Sequence, residues 1–138
     1  MSSGLLLDTC AVIWMTHKEF IAAEARDAVN ECRTTGIPVF VSVATAWEMA
    51  MLVSRGRIRE TKDAKGWYDG FRKDAAIAEQ PVAADTFIAS CFLPQPIHRD
   101  PIDRILIATA RQHGLTIITR DRAILSYGAL GHVKALAC

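Results

Sequence analysis

The chain has 138 residues, 51% hydrophobic and 22% charged, with a formal net charge of +1. These are values of a globular domain that can bury roughly two thirds of its unfolded surface without disulfides or a structural metal. The near-zero charge excludes a broadly basic nucleic-acid coat, and no apolar run approaches the roughly 20 residues that span a bilayer.

In chain order, Leu5-Leu6-Leu7 reads as a buried strand directly before Asp8, and Ala11 to Met15 as a short helix. Ala22 to Cys32 is a clearer helix, closed by Gly36, and Pro38 to Ser42 is a second strand, rich in β-branched and aromatic residues. Residues 43 to 54 form a helix ended at Arg55-Gly56, and Lys65 to Ile77 an amphipathic one carrying Trp67, Tyr68 and Phe71. Gln80 to Val82 suggests a short strand and Ala84 to Cys91 a helix, and the two prolines of Leu93-Pro94-Gln95-Pro96 require a loop. Pro101 to His113, stopped by Gly114, has the clearest helix signals. Thr116 to Thr119 reads as a strand, and Val133 to Leu136 as a last one.

Helices thus alternate with apolar strands, which predicts one α/β domain over residues 1–138, a parallel sheet covered on both faces. The cysteines Cys10, Cys32, Cys91 and Cys138 form no Cys-x-x-Cys pair, the histidines lack ligand spacing, and Met1-Ser2-Ser3-Gly4 leads into no signal core. The expectation is a cytoplasmic protein with reduced thiols and no zinc site.

Ligands of such sheets sit beyond the carboxyl ends of the strands, which directs attention to Asp8 after the first strand and Asp121 after Thr119. Each aspartate alone also fits a helix or turn N-cap, Asp121 at the start of a turn from Arg122 to Leu125. Glu48 is the only charge among the eleven residues Val43 to Val53, nine of which are apolar, and the i±3 and i±4 positions (Thr45, Ala44, Met51, Leu52) offer it no basic partner. A carboxylate in such a helix costs several kcal/mol unless compensated; the alternative is a narrow polar stripe facing water. In Asp100-Pro101-Ile102-Asp103-Arg104, capping accounts for Asp100 and only partly for Asp103.

Four carboxylates converging on one sheet edge would repel each other, and a hard divalent cation would remove that cost. Mg²⁺ or Mn²⁺ suits an all-oxygen, histidine-free set, and phosphodiester hydrolysis is its natural chemistry. No G-x-x-x-x-G-K-[ST] loop is present to cradle a nucleotide phosphate. Arginines supply local positive charge: Arg55, Arg57 and Arg59 alternate, and Arg99, Arg104, Arg111, Arg120 and Arg122 crowd the last third. Solvated surface or a phosphate-binding face both fit them.

The stretches Leu5-Leu6-Leu7-Asp8-Thr9, Ser42 to Glu48, His98 to Ala108, Thr119-Arg120-Asp121 and Tyr127-Gly128 together span nearly the whole chain. In their order and spacing the chain closely resembles the PIN-domain ribonucleases, in particular the VapC-type toxins of bacterial toxin–antitoxin pairs. The resemblance implies a three-layer α/β/α fold with a parallel sheet of about five strands. It implies that Asp8, Glu48, Asp103 and Asp121 hold Mg²⁺ or Mn²⁺ for RNA cleavage, with Thr9 and Thr119 orienting them. It further implies a homodimer and a small VapB-like, DNA-binding antitoxin that occupies the site. Arg55, Arg104 and Arg120 are the candidates for holding the RNA backbone. The chain departs from close relatives at Cys10, where histidine is common, and at Leu52, where lysine is common. A non-catalytic module of the same fold, acting only as an antitoxin or RNA partner, is the alternative. A phospho-acceptor receiver domain is disfavoured because Asp8 has no acidic neighbour and Arg120 replaces the lysine such a site needs.

Overall fold

The computed structural model describes residues 4–17, 22–58, 63–95 and 100–138. Arg59, Pro96, His98, Arg99 and the first three residues, named above, lie outside the described residues.

Five parallel strands form one sheet: β1 (Leu5–Leu7), β2 (Val39–Ser42), β3 (Ala78–Gln80), β4 (Thr116–Thr119) and β5 (Lys134–Ala137), in the order β3-β2-β1-β4-β5. Among the described residues the helices are α1 (Thr9–Thr16), α2 (Ala23–Thr35), α3 (Val43–Ser54), α4 (Ala64–Ala75), α5 (Ala84–Ser90), α6 (Pro101–His113) and α7 (Arg122–Ala129). The two-residue period of a strand divides the core. Leu5, Leu7, Val39, Val41 and Ile118 face the side covered by α1 to α4, where they pack on Val12, Val29, Met49, Trp67 and Phe71. Leu6 and Ile117 face the other side and pack on Leu106, Ile107, Ile124 and Tyr127 of α6 and α7. The expected three-layer α/β/α arrangement is what forms, because strands buried on both faces need helices on both.

Gly4 leads into β1 at φ +126°, and a Cβ there would stand 2.5 Å from the Pro38 carbonyl oxygen. Only glycine permits that approach, and the Leu5 N–H donates to the same oxygen at 3.3 Å.

Several boundaries differ from expectation for identifiable reasons. The strand expected at Gln80 to Val82 runs instead over Ala78–Gln80, since Pro81 has no N–H for a ladder. Helix α4 stops at Ala75 because Ala76 turns left-handed (φ 56°) and the Ile77 N–H reaches back to the Arg72 carbonyl at 2.9 Å. That turn leaves Ile77 buried in the core. Helix α1 begins at Thr9, two residues before Ala11, with Asp8 as its N-cap. The turn expected over Arg122 to Leu125 is a full helix, α7, continuing to Ala129, with Ile124 and Tyr127 buried. The last strand is shifted by one residue, to Lys134–Ala137. Among the described residues no helix is long and apolar enough to cross a membrane.

Candidate active site

The chain runs from β1 outward to β2 and β3 on one side, then returns to β4 and β5 on the other. The sheet therefore reverses its order between β1 and β4, where the chains leaving adjacent strands diverge and open a crevice. Asp8 follows β1 and Asp121 follows β4, so both stand at that crevice. Helix α3 leaves β2 on the same edge and carries Glu48, and α6, packed on α3 through Ile102, Ile105 and Ala44, presents Asp103 in its first turn. The structure brings the four together: Asp8, Glu48, Asp103 and Asp121 line one open cavity of about 350 Å³, with Asp100, Cys10, Trp14 and Arg120.

Asp8 is fixed from three directions. Its Oδ1 accepts the Thr9 N–H at 2.7 Å, and its Oδ2 accepts the Thr119 hydroxyl at 2.6 Å and the Cys10 thiol at 3.4 Å. The Thr119 hydroxyl oxygen in turn accepts the Asp121 N–H at 2.9 Å, so one side chain ties the loops after β1 and β4 together. The Thr9 hydroxyl donates to the Thr45 hydroxyl at 3.1 Å, and Thr9 lies near enough to Glu48 to oppose the rise in its proton affinity. Both expected supporting threonines thus touch the acids. Replacing Thr119 with valine is expected to leave Asp8 without its shortest hydrogen bond and the fold about 1–2 kcal/mol weaker; urea denaturation would measure the loss, and a wild-type midpoint would show the contact to be idle.

Asp121 caps α7: its Oδ1 accepts the N–H groups of Ala123 and Ile124 at 2.8 and 3.0 Å. Capping and membership of the cluster are compatible, since the cap engages one oxygen. Asp100 does the same for α6, accepting from Ile102 and Asp103 at 2.8 and 3.1 Å. Asp100 also lines the acid cavity, a role that capping chemistry alone does not reveal. The three-residue spacing to Asp103 is the signal that puts both on one helical face.

The electrostatics follow from this crowding. Burial pushes the Asp103 carboxyl up to about 8, helped by the negative charges of Asp8, Asp100, Asp121 and Glu48. Burial also raises Asp8, against its three hydrogen bonds, and Asp121 adds to the rise. Glu48 is half-buried and raised by desolvation and by Asp8 and Asp100, with Thr9 opposing. The uncompensated glutamate of α3 is therefore real: it sits between exposed Trp47 and fully buried Met49 and turns toward other acids.

Among the described residues, no three His, Cys, Asp or Glu side chains stand as placed in a chelating group. The donor chemistry fits a hard divalent cation, since oxygen-bearing acids with mutually raised proton affinity gain most from a cation that displaces the protons.

Arg120 forms one wall, its guanidinium over the Trp14 ring and its Nε donating to the Cys138 carbonyl at 2.7 Å. Arg55 lines a neighbouring cavity of about 350 Å³ with Trp47, Glu48, Met51, Leu52, Arg57, Asp100, Pro101 and Ile102. Arg104 is half-buried on α6 and lines neither cavity.

The sequence profile of the PIN domain matches residues 5–130. This chain belongs to the PIN-domain family. This PIN domain is 26% identical over 129 residues to Ribonuclease VapC22 of Mycobacterium tuberculosis, covering 92% of this chain and 93% of that protein. Its fold is similar to a chain of the VapBC2 structure from Rickettsia felis, bound to a DNA fragment from their promoter, with TM-score 0.73, 11% identity and 98% of each chain covered. It is similar also to a chain of the Mycobacterium tuberculosis VapBC-5 toxin–antitoxin structure, with TM-score 0.63, 19% identity and 99% of each chain covered.

Proposed function

We propose that this chain is a metal-dependent endoribonuclease that hydrolyses RNA phosphodiester bonds and acts as the toxin of a toxin–antitoxin pair. One observation carries the reading: Asp8, Glu48, Asp103 and Asp121 arrive from four separate segments in a single cavity at the point where the sheet order reverses. Membership of the PIN family and the likeness to a ribonuclease over 92% of the chain support it.

Asp8, Glu48 and Asp103 are the residues that would hold Mg²⁺ or Mn²⁺, with Asp121 completing the set. When bound, such an ion supplies positive charge that makes a nearby water more acidic and offsets charge developing on phosphate oxygens. Thr119 and the Thr9 N–H hold the Asp8 carboxylate at the cavity. Arg120, steadied by Trp14, and Arg55 on the adjoining cavity give the RNA backbone cationic contacts on two sides of the acids. Arg104 lies outside both cavities and is left out of this assignment.

The adjoining cavity shares Glu48 and Asp100 with the acid cavity and has an apolar lining with two arginines. An antitoxin segment lying there would cover the acids, and the VapBC structures similar in fold support a VapB-like partner. Phe87 and Ile88 of α5, and Phe92 just after it, are 50%, 60% and 81% exposed and give an apolar face suited to a second copy of the chain. A cytoplasmic location belongs to the same reading.

The test is cleavage of total RNA by the purified protein with and without Mn²⁺. Cleavage is expected only with the ion, and to be lost in Asp8→Ala and in Asp103→Ala. Intact activity in both variants would overturn the mechanism, and wild-type protein inert toward RNA but still bound by its partner would favour a binding module.

A further inference from the structure

Two of the four cysteines, far apart in sequence, meet beside the acids. The last ladder position pairs Thr119 with Ala137, and the Cys138 N–H donates to the Thr119 carbonyl at 3.1 Å, which carries residue 138 alongside Arg120. From the other direction, the Arg120 N–H points to Cys10 Sγ at 3.5 Å, and that sulfur stands 3.8 Å from the Thr119 hydroxyl. Both thiols are free and half-buried, and each lies near enough to shift the other's proton affinity, Cys138 raising Cys10 and Cys10 lowering Cys138. Cys10 Sγ also donates to Asp8 Oδ2 and lines the open acid cavity, so the pair is reachable from solvent.

We propose that Cys10 and Cys138 are an oxidisable pair, and that their disulfide weakens the acid site. The oxidant is hydrogen peroxide. One sulfur attacks a peroxide oxygen, the O–O bond breaks, and a sulfenic acid forms with loss of one water. The second sulfur attacks the sulfenic sulfur, the S–O bond breaks, and a second water leaves as the S–S bond forms. Both thiol hydrogens leave in the waters; the two sulfurs are oxidised and the peroxide is reduced. A reducing compartment keeps such a bond transient, as a signal rather than a staple.

The consequence follows from one hydrogen. Reduced Cys10 spends its S–H on Asp8 Oδ2, and the disulfide has none to give. Among the described residues Asp8 Oδ2 then keeps only the Thr119 hydroxyl, and losing an orienting partner of a ligand costs about tenfold in activity or metal affinity. This consequence rests on the ribonuclease reading, whereas formation of the bond does not.

The experiment treats the reduced, purified chain with hydrogen peroxide, then follows intact mass, non-reducing peptide maps, Mn²⁺-dependent RNA cleavage and the rise in melting temperature caused by Mn²⁺. The expected result is an intact mass lower by two hydrogens, a peptide linking Cys10 to Cys138, and cleavage down about tenfold and restored by dithiothreitol. Cys138→Ser should cleave as reduced wild type does and ignore peroxide. Over-oxidised thiols or Cys91-linked dimers without the internal bond would overturn the pairing. A bond that leaves both cleavage and the Mn²⁺ response unchanged would overturn its effect on the site. Should reduced wild type cleave no RNA, the ribonuclease reading fails, while the peptide map and the Mn²⁺ response still decide this proposal.

Discussion

Asp103→Asn is expected to lose metal-dependent RNA cleavage by at least about 100-fold, the scale of removing several kcal/mol of charge stabilisation, and yet to fold more tightly than wild type without metal. The two effects share a cause. Asp103 is buried at the start of α6, and its carboxyl is pushed up to about 8 by burial and by Asp8, Asp100, Asp121 and Glu48. Ionising it in the folded state works against all of these, whereas in the unfolded chain it ionises near its ordinary value. Asparagine has nearly the same shape and no charge to bury. Urea denaturation in EDTA at pH 8 should show a gain of about 1–3 kcal/mol, after allowing for relaxation of the open cavity. A variant that is both inactive and less stable than wild type in EDTA would show that Asp103 is held by structural contacts, and the repulsion argument would fail.

The second large effect is a linkage between pH and metal. Asp103 binds its proton more tightly in the folded than in the unfolded state, so its contribution to stability is fully present below its ordinary value near 4. That contribution is lost as pH rises towards about 8. Raised Asp8 and Glu48 act in the same direction. Metal-free protein should therefore lose stability across this window. A divalent cation binds the ionised carboxylates and displaces their protons, so its stabilisation should be small at pH 5 and large at pH 8. At a concentration 100 times its dissociation constant the gain is about 2.7 kcal/mol, or about 5–10 °C in melting temperature for a chain of this size. Thermal melts with EDTA, Mg²⁺ or Mn²⁺ at pH 5 and pH 8 would show it. Equal shifts at both pH values, or an undiminished shift in Asp103→Asn, would place the bound ion elsewhere.

Short-range chemistry made much of the fold legible. Leu5-Leu6-Leu7 reads as a buried strand and is one, Pro101 and Gly114 bracket α6 at the residues where it starts and stops, and the alternation of apolar strands with helices implied a parallel sheet. The errors lie where a longer-range contact decided the outcome. Helix α7 looked like a turn because Ser126 and Gly128 are weak helix formers, and it forms because Ile124 and Tyr127 are buried against α6 and the sheet. The end of α4 at Ala76 carries no glycine to announce it; burial of Ile77 in the core accompanies the reversal.

The same division holds for the site. From sequence alone, Asp8 and Asp121 are acids following strands, and Glu48 is a charge on an apolar helix without a local partner; these follow from neighbours within a few positions. Capping and clustering looked like rival accounts of Asp121, but one oxygen caps α7 while the side chain lines the cavity. Only the tertiary structure decided that Asp100 joins the acids, that Arg120 stacks on Trp14 while Arg104 lines neither cavity, and that Cys10 meets Cys138. The physical reason is range. Propensity, periodicity and capping act over one or two turns of chain, whereas charge repulsion, desolvation and thiol contact depend on distances set only when β1 and β4 lie side by side. The sequence by itself marked Glu48 as a charge without a local partner and Asp8 and Asp121 as acids after strands; the parallel sheet decided that they share one cavity.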